Sequence, residues 1–262
     1  MLIRLLNVRG AVIAALALSS HLALADEDKG RDKDEAQKHG ELPSHAQVKA
    51  ALKSVVDVGG TNNSGFGLNM WITLVNRDGE VTTVAFTGNE RGDQWPGSRV
   101  ISAQKANTAN AFSLPGLALS TANLYTAVQP GGTLFGLQES NPVDATAAYK
   151  GPAKNFGQPN DPLVGRRIGG VNVFGGGLAL YNKKGEIVGA LGVSGDTSCT
   201  DHIIAWKVRH ALELDYVPGG VSPTGDDNIV HDPASGWNHP DCGAEEKALA
   251  DALPASHPIR HK

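Results

Sequence analysis

The sequence predicts a mixed α+β domain built on an antiparallel sheet, and three observations carry that prediction. The first is a hairpin, in which residues 70–75 (MWITLV) and 80–86 (EVTTVAF) flank Asn76-Arg77-Asp78-Gly79. Asp-Gly between two β-rich runs is a strong hairpin signal. The second is a later pair, residues 178–181 (LALY) and 186–193 (EIVGALGV), joined across the turn Lys183-Lys184-Gly185. The third is the stretch after Ser194-Gly195, where a buried strand passes directly into an amphipathic helix that must fold back onto the sheet.

At 262 residues the chain has room for one or two domains, each spanning roughly 100–200 residues. Hydrophobic residues at 40%, charged residues at 19% and 32 glycines describe a globular protein with many tight turns. A net charge of −4 provides no basic field for nucleic acid or an anionic membrane. An aromatic fraction of 5% argues against base-stacking platforms.

The N-terminus has the layout of a secretory signal. Arg4 and Arg9 precede an apolar core over residues 11–18, and Ala23-Leu24-Ala25 forms an A-x-A cleavage site. That core is shorter than the about 20 residues a membrane span needs. The expected organisation is a signal peptide over 1–25, a charged linker over 26–43, a domain over 44–216 and a tail over 217–262. The mature chain is expected to be periplasmic or extracellular, with no membrane span. Cys199 and Cys242 suit an oxidising compartment, where an isolated pair most simply forms one disulfide. The alternative is two unpaired thiols. A catalytic thiol has less support, because no electropositive setting is apparent.

Taken in order, Ser44 caps a first helix whose apolar face runs from Ala46 to Val56, before Gly59-Gly60. After the first hairpin, Ser98 is expected to cap a helix to Phe112, in which Ile101, Lys105, Thr108 and Phe112 share a stripe. A lysine in such a stripe either anchors a ligand carboxylate or snorkels over the sheet edge. Residues 117–129 carry a short helical pattern starting at Ser120, and residues 133–137 a candidate strand. Residues 139–165, rich in Pro, Gly and Asn, read as a long surface excursion. Residues 171–174 (VNVF), interrupted by Gly175-Gly176-Gly177, are expected to join the final hairpin.

The helix after that hairpin opens with Ser198-Cys199-Thr200-Asp201, an S-x-x-D capping box. Ile204, Ala205, Val208, Ala211 and Leu212 project to one face around Asp201, the expected core face. His202, Trp206 and His210 fall on the opposite face at i, i+4, i+8. That outward stripe suits a subunit interface, or an iron porphyrin with an imidazole as axial ligand. In the turn-rich tail, pairing of Cys242 with Cys199 would draw His239 towards His202 as a two-histidine metal site, although no standard zinc spacing is present. Residues 245–253 read as one short helix. The segment GALGVSG lacks G-x-G-x-x-G spacing and Val193-Ser194-Gly195 lacks the upstream glycine of a nucleophile elbow. No P-loop, CxxC or HExxH occurs.

Two segments resemble the GlcG/HbpS-like haem-binding family, also called the haem-degrading domain. One is SAQKANTANAF, with Ala103, Lys105, Ala106, Thr108, Ala109 and Phe112 in the family's helix pattern. The other is GEIVGALGVSGDTSCTD, where Gly185, Val188, Gly189, Ala190, Gly192, Val193, Ser194, Gly195 and Asp201 match. The resemblance runs over about residues 44–214, with the stretch 139–165, the cysteines and the tail as departures. It implies a profilin-like α/β/α domain with a five-stranded antiparallel sheet, assembling into homo-oligomers. It also implies haem as the cofactor, with His202 or His210 as iron ligand, Trp206 and Thr108 in the site and Lys105 facing a propionate. The leading expectation is a secreted haem-binding protein in haem, iron or oxidative-stress handling. The alternatives are an enzyme that degrades haem or another small molecule, and an oligomeric scaffold for a small carboxylate. Between binding and catalysis the sequence favours binding.

Overall fold

The computed structural model describes residues 42–261. The expected signal peptide over residues 1–25 and the charged stretch to residue 41 lie outside these described residues. Helix α1 (His45–Val55) begins where expected, with Ser44 and Gln47 closing a capping box that satisfies N–H groups a helix start leaves open. Strands β1 (Trp71–Asn76) and β2 (Val81–Phe86) form the first hairpin. Its turn is fixed by Asn76 Oδ1, which accepts from the N–H groups of Asp78 and Glu80, and by Gly79 at φ +76°.

Helix α2 (Ser98–Phe112) follows, but Ser98 is not its cap. Gly97 holds the N-cap position without a side-chain bond, and Ser98 is buried in the first turn. Residues 117–129 make two 3₁₀ turns, Ala122–Leu124 and Thr126–Val128, in place of one helix. The segment stops at Pro130-Gly131-Gly132, too short to offset the cost of nucleating an α-helix. Of the candidate strand 133–137, residues 133–136 are turn and residue 137 opens α3 (Leu137–Ser140). The excursion contains α4 (Ala145–Ala148) and a 3₁₀ turn, Ala153–Asn155. It is pinned to the domain by Asp161, which receives Arg99 Nε at 2.9 Å and the N–H groups of Gly157 and Leu163. Strands β3 (Gly177–Tyr181) and β4 (Ile187–Ser194), helix α5 (Ser198–Ala211) and helix α6 (Ala244–Ser256) complete the chain.

The strand order is β2-β1-β4-β3, antiparallel throughout. Among the described residues the sheet has four strands, not the five expected. The stretch read as extra strand, residues 171–174, bonds to side chains instead of a ladder. Asn172 N–H donates to Thr108 Oγ1 at 3.0 Å, and Phe174 N–H to Asn172 Oδ1 at 3.2 Å.

Helices cover both faces of the sheet. On one face Ile72, Leu74, Leu191 and Val193 pack against α1, α5 and α6. On the other, Trp71, Val75, Val84 and Ala190 meet Val100, Ala103, Ala106 and Ala109 of α2. Period-2 alternation sorts the strand side chains between these two cores. Gly192 lets α2 lie directly on β4, since a Cβ there would stand 2.0 Å from the Ser102 carbonyl oxygen. No helix among the described residues is long and apolar enough to cross a membrane.

Candidate functional site

The residues singled out on α5 lie at the junction of helix, sheet and tail. The predicted capping box does not form there. Thr197 is the N-cap and its side chain accepts from Thr200 N–H. Asp201 turns inward instead, accepting from the N–H groups of Gly195 (3.1 Å) and Asp196 (3.0 Å) and from Lys105 Nζ (2.5 Å). The Lys105 ammonium also donates to the Val193 carbonyl at 3.2 Å, and both ends of the pair are buried. Lys105 therefore neither snorkels nor faces open space; it ties α2 to the start of α5 beneath β4. Gly176 makes room for this pair, because a Cβ there would stand 3.1 Å from Lys105 Nζ. Thr108, also buried, donates to the Gln104 carbonyl and accepts from Asn172.

The stripe on α5 does not point to solvent as the helix projection implied. The tail covers it. His202 is fully buried, with Nε2 at 3.1 Å from Asn228 Oδ1 and 3.1 Å from the Ile229 nitrogen. Because Ile229 N–H also reaches Asn228 Oδ1 at 2.9 Å, the tautomer with Nε2–H donating to Asn228 serves all three groups. Trp206 Nε1 donates to the His257 carbonyl at 2.8 Å, and Arg209 lies over the indole. His210 keeps a partly open side chain and pairs through Nδ1 with Asp215 at 2.7 Å. His239 lies beside the Cys199–Cys242 disulfide, which forms as expected. It also meets Gly175, the residue against which the His202 side chain packs. The tail is held because Ile229, Ala250 and Leu253 enter the main core and Asp227 pairs with Arg209.

Burial sets the protonation of this region. It pushes His202 down to about 3 and His239 to about 4, so both are neutral at physiological pH. Burial also lifts Asp201 to about 6, against the pull of Lys105, which leaves the ion pair formed at neutral pH. The folded state therefore binds fewer protons than the unfolded chain at the two histidines as pH falls below 6.5. Asp201 has the opposite sign and offsets about one proton between pH 6 and 3.8. Burial lowers His231 and His257 as well, so the expected net effect is acid destabilisation between pH 6 and 4 of at least about 1.4 kcal/mol per pH unit, one histidine's worth. Urea denaturation at steps of pH across that window measures it, and a stability that is flat or rising on acidification contradicts it.

Open space lies at both ends of α5, beside Thr197 and Cys242 (about 380 Å³) and beside Ala211 and Leu212 (about 550 Å³), and also on the α2 face of the sheet. A cleft of about 520 Å³ is lined by Trp71, Arg91, Pro96, Val100, Tyr149 and Phe156, among others. The start of α2 and the pinned excursion build it. Arg99, bonded to Asp161 and stacked 3.7 Å from the Phe156 ring centroid, fixes one wall. Trp71 is held by Nε1 donation to the Trp95 carbonyl and an edge-on contact with Phe86, while Tyr149 is exposed. None of His202, Trp206, His210 and Lys105 lines this opening. The cleft was missed in the sequence because its walls come from separate segments. Arg99, a charge among the apolar positions of α2, was the one available signal.

Residues 44–209 match the HbpS-like family, described as haem degrading protein HbpS-like, and the chain belongs to that family. A comparison with curated proteins found no match. Among solved structures, the PduOC–haem complex is 22% identical, with 63% of this chain and 89% of that chain covered and a TM-score of 0.43. ORFY of Klebsiella pneumoniae is 23% identical, with 64% and 86% covered and a TM-score of 0.42. HbpS is 16% identical, with 66% and 95% covered and a TM-score of 0.38.

Proposed function

We propose that this protein is a secreted haem-binding member of the HbpS-like family, and that the aromatic cleft is where it takes the ligand. The observation that carries the site is that the cleft is open while His202 and Trp206 are buried, leaving only His210 of the stripe partly open. Its volume falls in the range of about 300–1,000 Å³ usual for small-molecule sites. The chemistry of its lining suits the group. Trp71, Val100 and Phe156 offer apolar contact to a macrocycle, Arg91 a cation for a propionate, and Tyr149 a phenol of the kind that ligates haem iron. A bound haem supplies a redox-active iron. The protein's own part is to bury one face of it and to orient it against the rigid wall that Arg99 and Asp161 hold. Secretion is supported by the A-x-A signal at the N-terminus and by the disulfide.

Tyr149→Phe is expected to shift the haem absorption spectrum and weaken binding at least tenfold. Filling the cleft with Val100→Trp is expected to abolish saturable binding. His202→Ala and His210→Ala are expected to leave the spectrum unchanged. If the histidine variants alter the spectrum and the cleft variants do not, the ligand sits at the stripe with the tail displaced, and the assignment to the cleft fails.

A further inference from the structure

Among the described residues, four buried side-chain nitrogens lack a hydrogen bond of good geometry, and three are imidazole nitrogens of His202 and His231. Buried polar groups are nearly always satisfied, so orphans gathered in one region call for a specific explanation. His231 has a side chain only 1% exposed, and its ring centroid lies 6.5 Å from that of His239 in an edge-on arrangement. His239, Cys199 and Cys242 each offer a ligand atom, all within 4.8 Å of one another. The two imidazoles share a further property. His239 Nδ1 lies 2.8 Å from the Pro240 carbonyl and His231 Nδ1 lies 3.0 Å from an Asp241 carboxylate oxygen. Metal-binding histidines commonly donate their second ring N–H to such a carbonyl or carboxylate, which fixes the tautomer and frees Nε2. His239 Nε2 now meets only the Gly175 N–H at a long 3.4 Å.

We propose that Cys199, Cys242, His239 and His231 form a Cys₂His₂ site for a thiophilic divalent cation such as Zn²⁺ in the reduced protein, and that the disulfide is its metal-free, locked form. Two thiolates and two imidazoles are the donor set such an ion takes in tetrahedral geometry. Cys199 and His239 are buried, whereas Cys242 is exposed, so reductant and ion have access from one side. The interconversion balances with a dithiol as reductant. The dithiol reduces the Cys199–Cys242 bond to two thiols and becomes a disulfide itself. The cation then binds both sulfurs as thiolates and releases their two protons. In either form Cys242 stays linked to α5, so the tail remains anchored over His202 and Trp206. This site is independent of the haem reading, and its test uses haem-free protein.

The test is a Co²⁺ titration of the full chain after reduction with a dithiol and anaerobic removal of the reductant. One equivalent is expected to produce thiolate-to-cobalt charge transfer and the visible bands of tetrahedral cobalt, both lost on adding Zn²⁺. The oxidised protein is expected to give neither. Cys242→Ser, at an exposed position, is expected to abolish the charge-transfer band. His239→Ala and His231→Ala are each expected to weaken cobalt binding at least tenfold. The wild-type titration alone decides the main point whatever the folding of the variants, since reduced protein without a charge-transfer band overturns the proposal. Equal binding by oxidised protein, or unchanged affinity in both histidine variants, overturns the ligand set.

Discussion

Asp227→Ala is expected to lower the free energy of unfolding by about 3–5 kcal/mol, a large part of the stability of an ordinary domain. The carboxylate accepts two parallel bonds from Arg209, Nη1 to Oδ2 and Nη2 to Oδ1, each 2.7 Å, and both side chains are fully buried. Removing the acid leaves a guanidinium in the interior whose remaining hydrogen bond is to the Ala179 carbonyl, at 3.1 Å, beside its contact with the Trp206 ring. The penalty of an uncompensated buried charge, rather than the net worth of the pair, sets the size of the effect. The same change removes the bond of residue 227 to α5, while Asn228 keeps its bonds to His202, Asn123 and Ala250. Urea denaturation of the variant measures the loss directly. A change below about 1 kcal/mol would show that the pair behaves as a solvated surface bridge. Replacing both partners, Arg209→Met with Asp227→Leu, is expected to recover much of the stability, because apolar groups of similar size carry no desolvation cost.

Removing the disulfide is expected to cost about as much by a different route. Cys199 and Cys242 are 43 residues apart in sequence. Opening a loop of that length restores conformational entropy to the unfolded chain worth about 4 kcal/mol in the chain-entropy model. The folded tail keeps its other attachments. Ile229, Ala250 and Leu253 stay in the main core, Arg209 still holds Asp227, and Trp206 still donates to His257. A Cys199→Ser/Cys242→Ser variant should therefore lose stability while the native tryptophan emission is unchanged. A red-shifted native emission would show that the disulfide, and not the packing, keeps the tail over the stripe.

The parts of the fold that were legible in the sequence are those specified locally. The hairpin at Asp78-Gly79, the cap at Ser44, the strand–turn–helix at Gly195 and helix α6 each have their signals within a few residues. Long-range partners were not legible. Projection of α5 set Asp201, Ile204, Ala205 and Val208 apart from His202, Trp206 and His210, but Trp206 joins the same main core, Ala211 of the expected core face is exposed, and the tail forms a second layer over His202. The sequence suggests a turn-rich tail stapled over the domain by the disulfide, but its sparse apolar residues do not show where it packs: Ile229, Ala250 and Leu253 are far apart and serve one core only in three dimensions. Arg99 and Arg209 carried a usable hint, since a charged residue set among buried helix positions needs a buried acid. Nothing local pointed to Asp161 or Asp227 as that acid. For Lys105 the sequence leaves a ligand carboxylate or snorkelling over the sheet edge, and neither occurs. Its carboxylate partner is Asp201 of the same chain.

The resemblance to the family lies in the same local segments, and it shows the family without showing where a ligand binds. The family's helix pattern around Lys105 and Thr108, and the glycine-lined strand before Asp201, turn out to build the contact between α2, β4 and α5. The cleft at Trp71, Tyr149 and Phe156 draws on the excursion over residues 139–165, one of the features that departs from the family pattern.

The most direct test of the account is a haemin titration of the mature wild-type chain, followed by absorption spectroscopy and by quenching of tryptophan emission. Saturable one-to-one binding, a Soret band shifted from that of free haemin, and quenching of Trp71 in the cleft wall are expected. A non-saturable titration with an unshifted Soret band would contradict it.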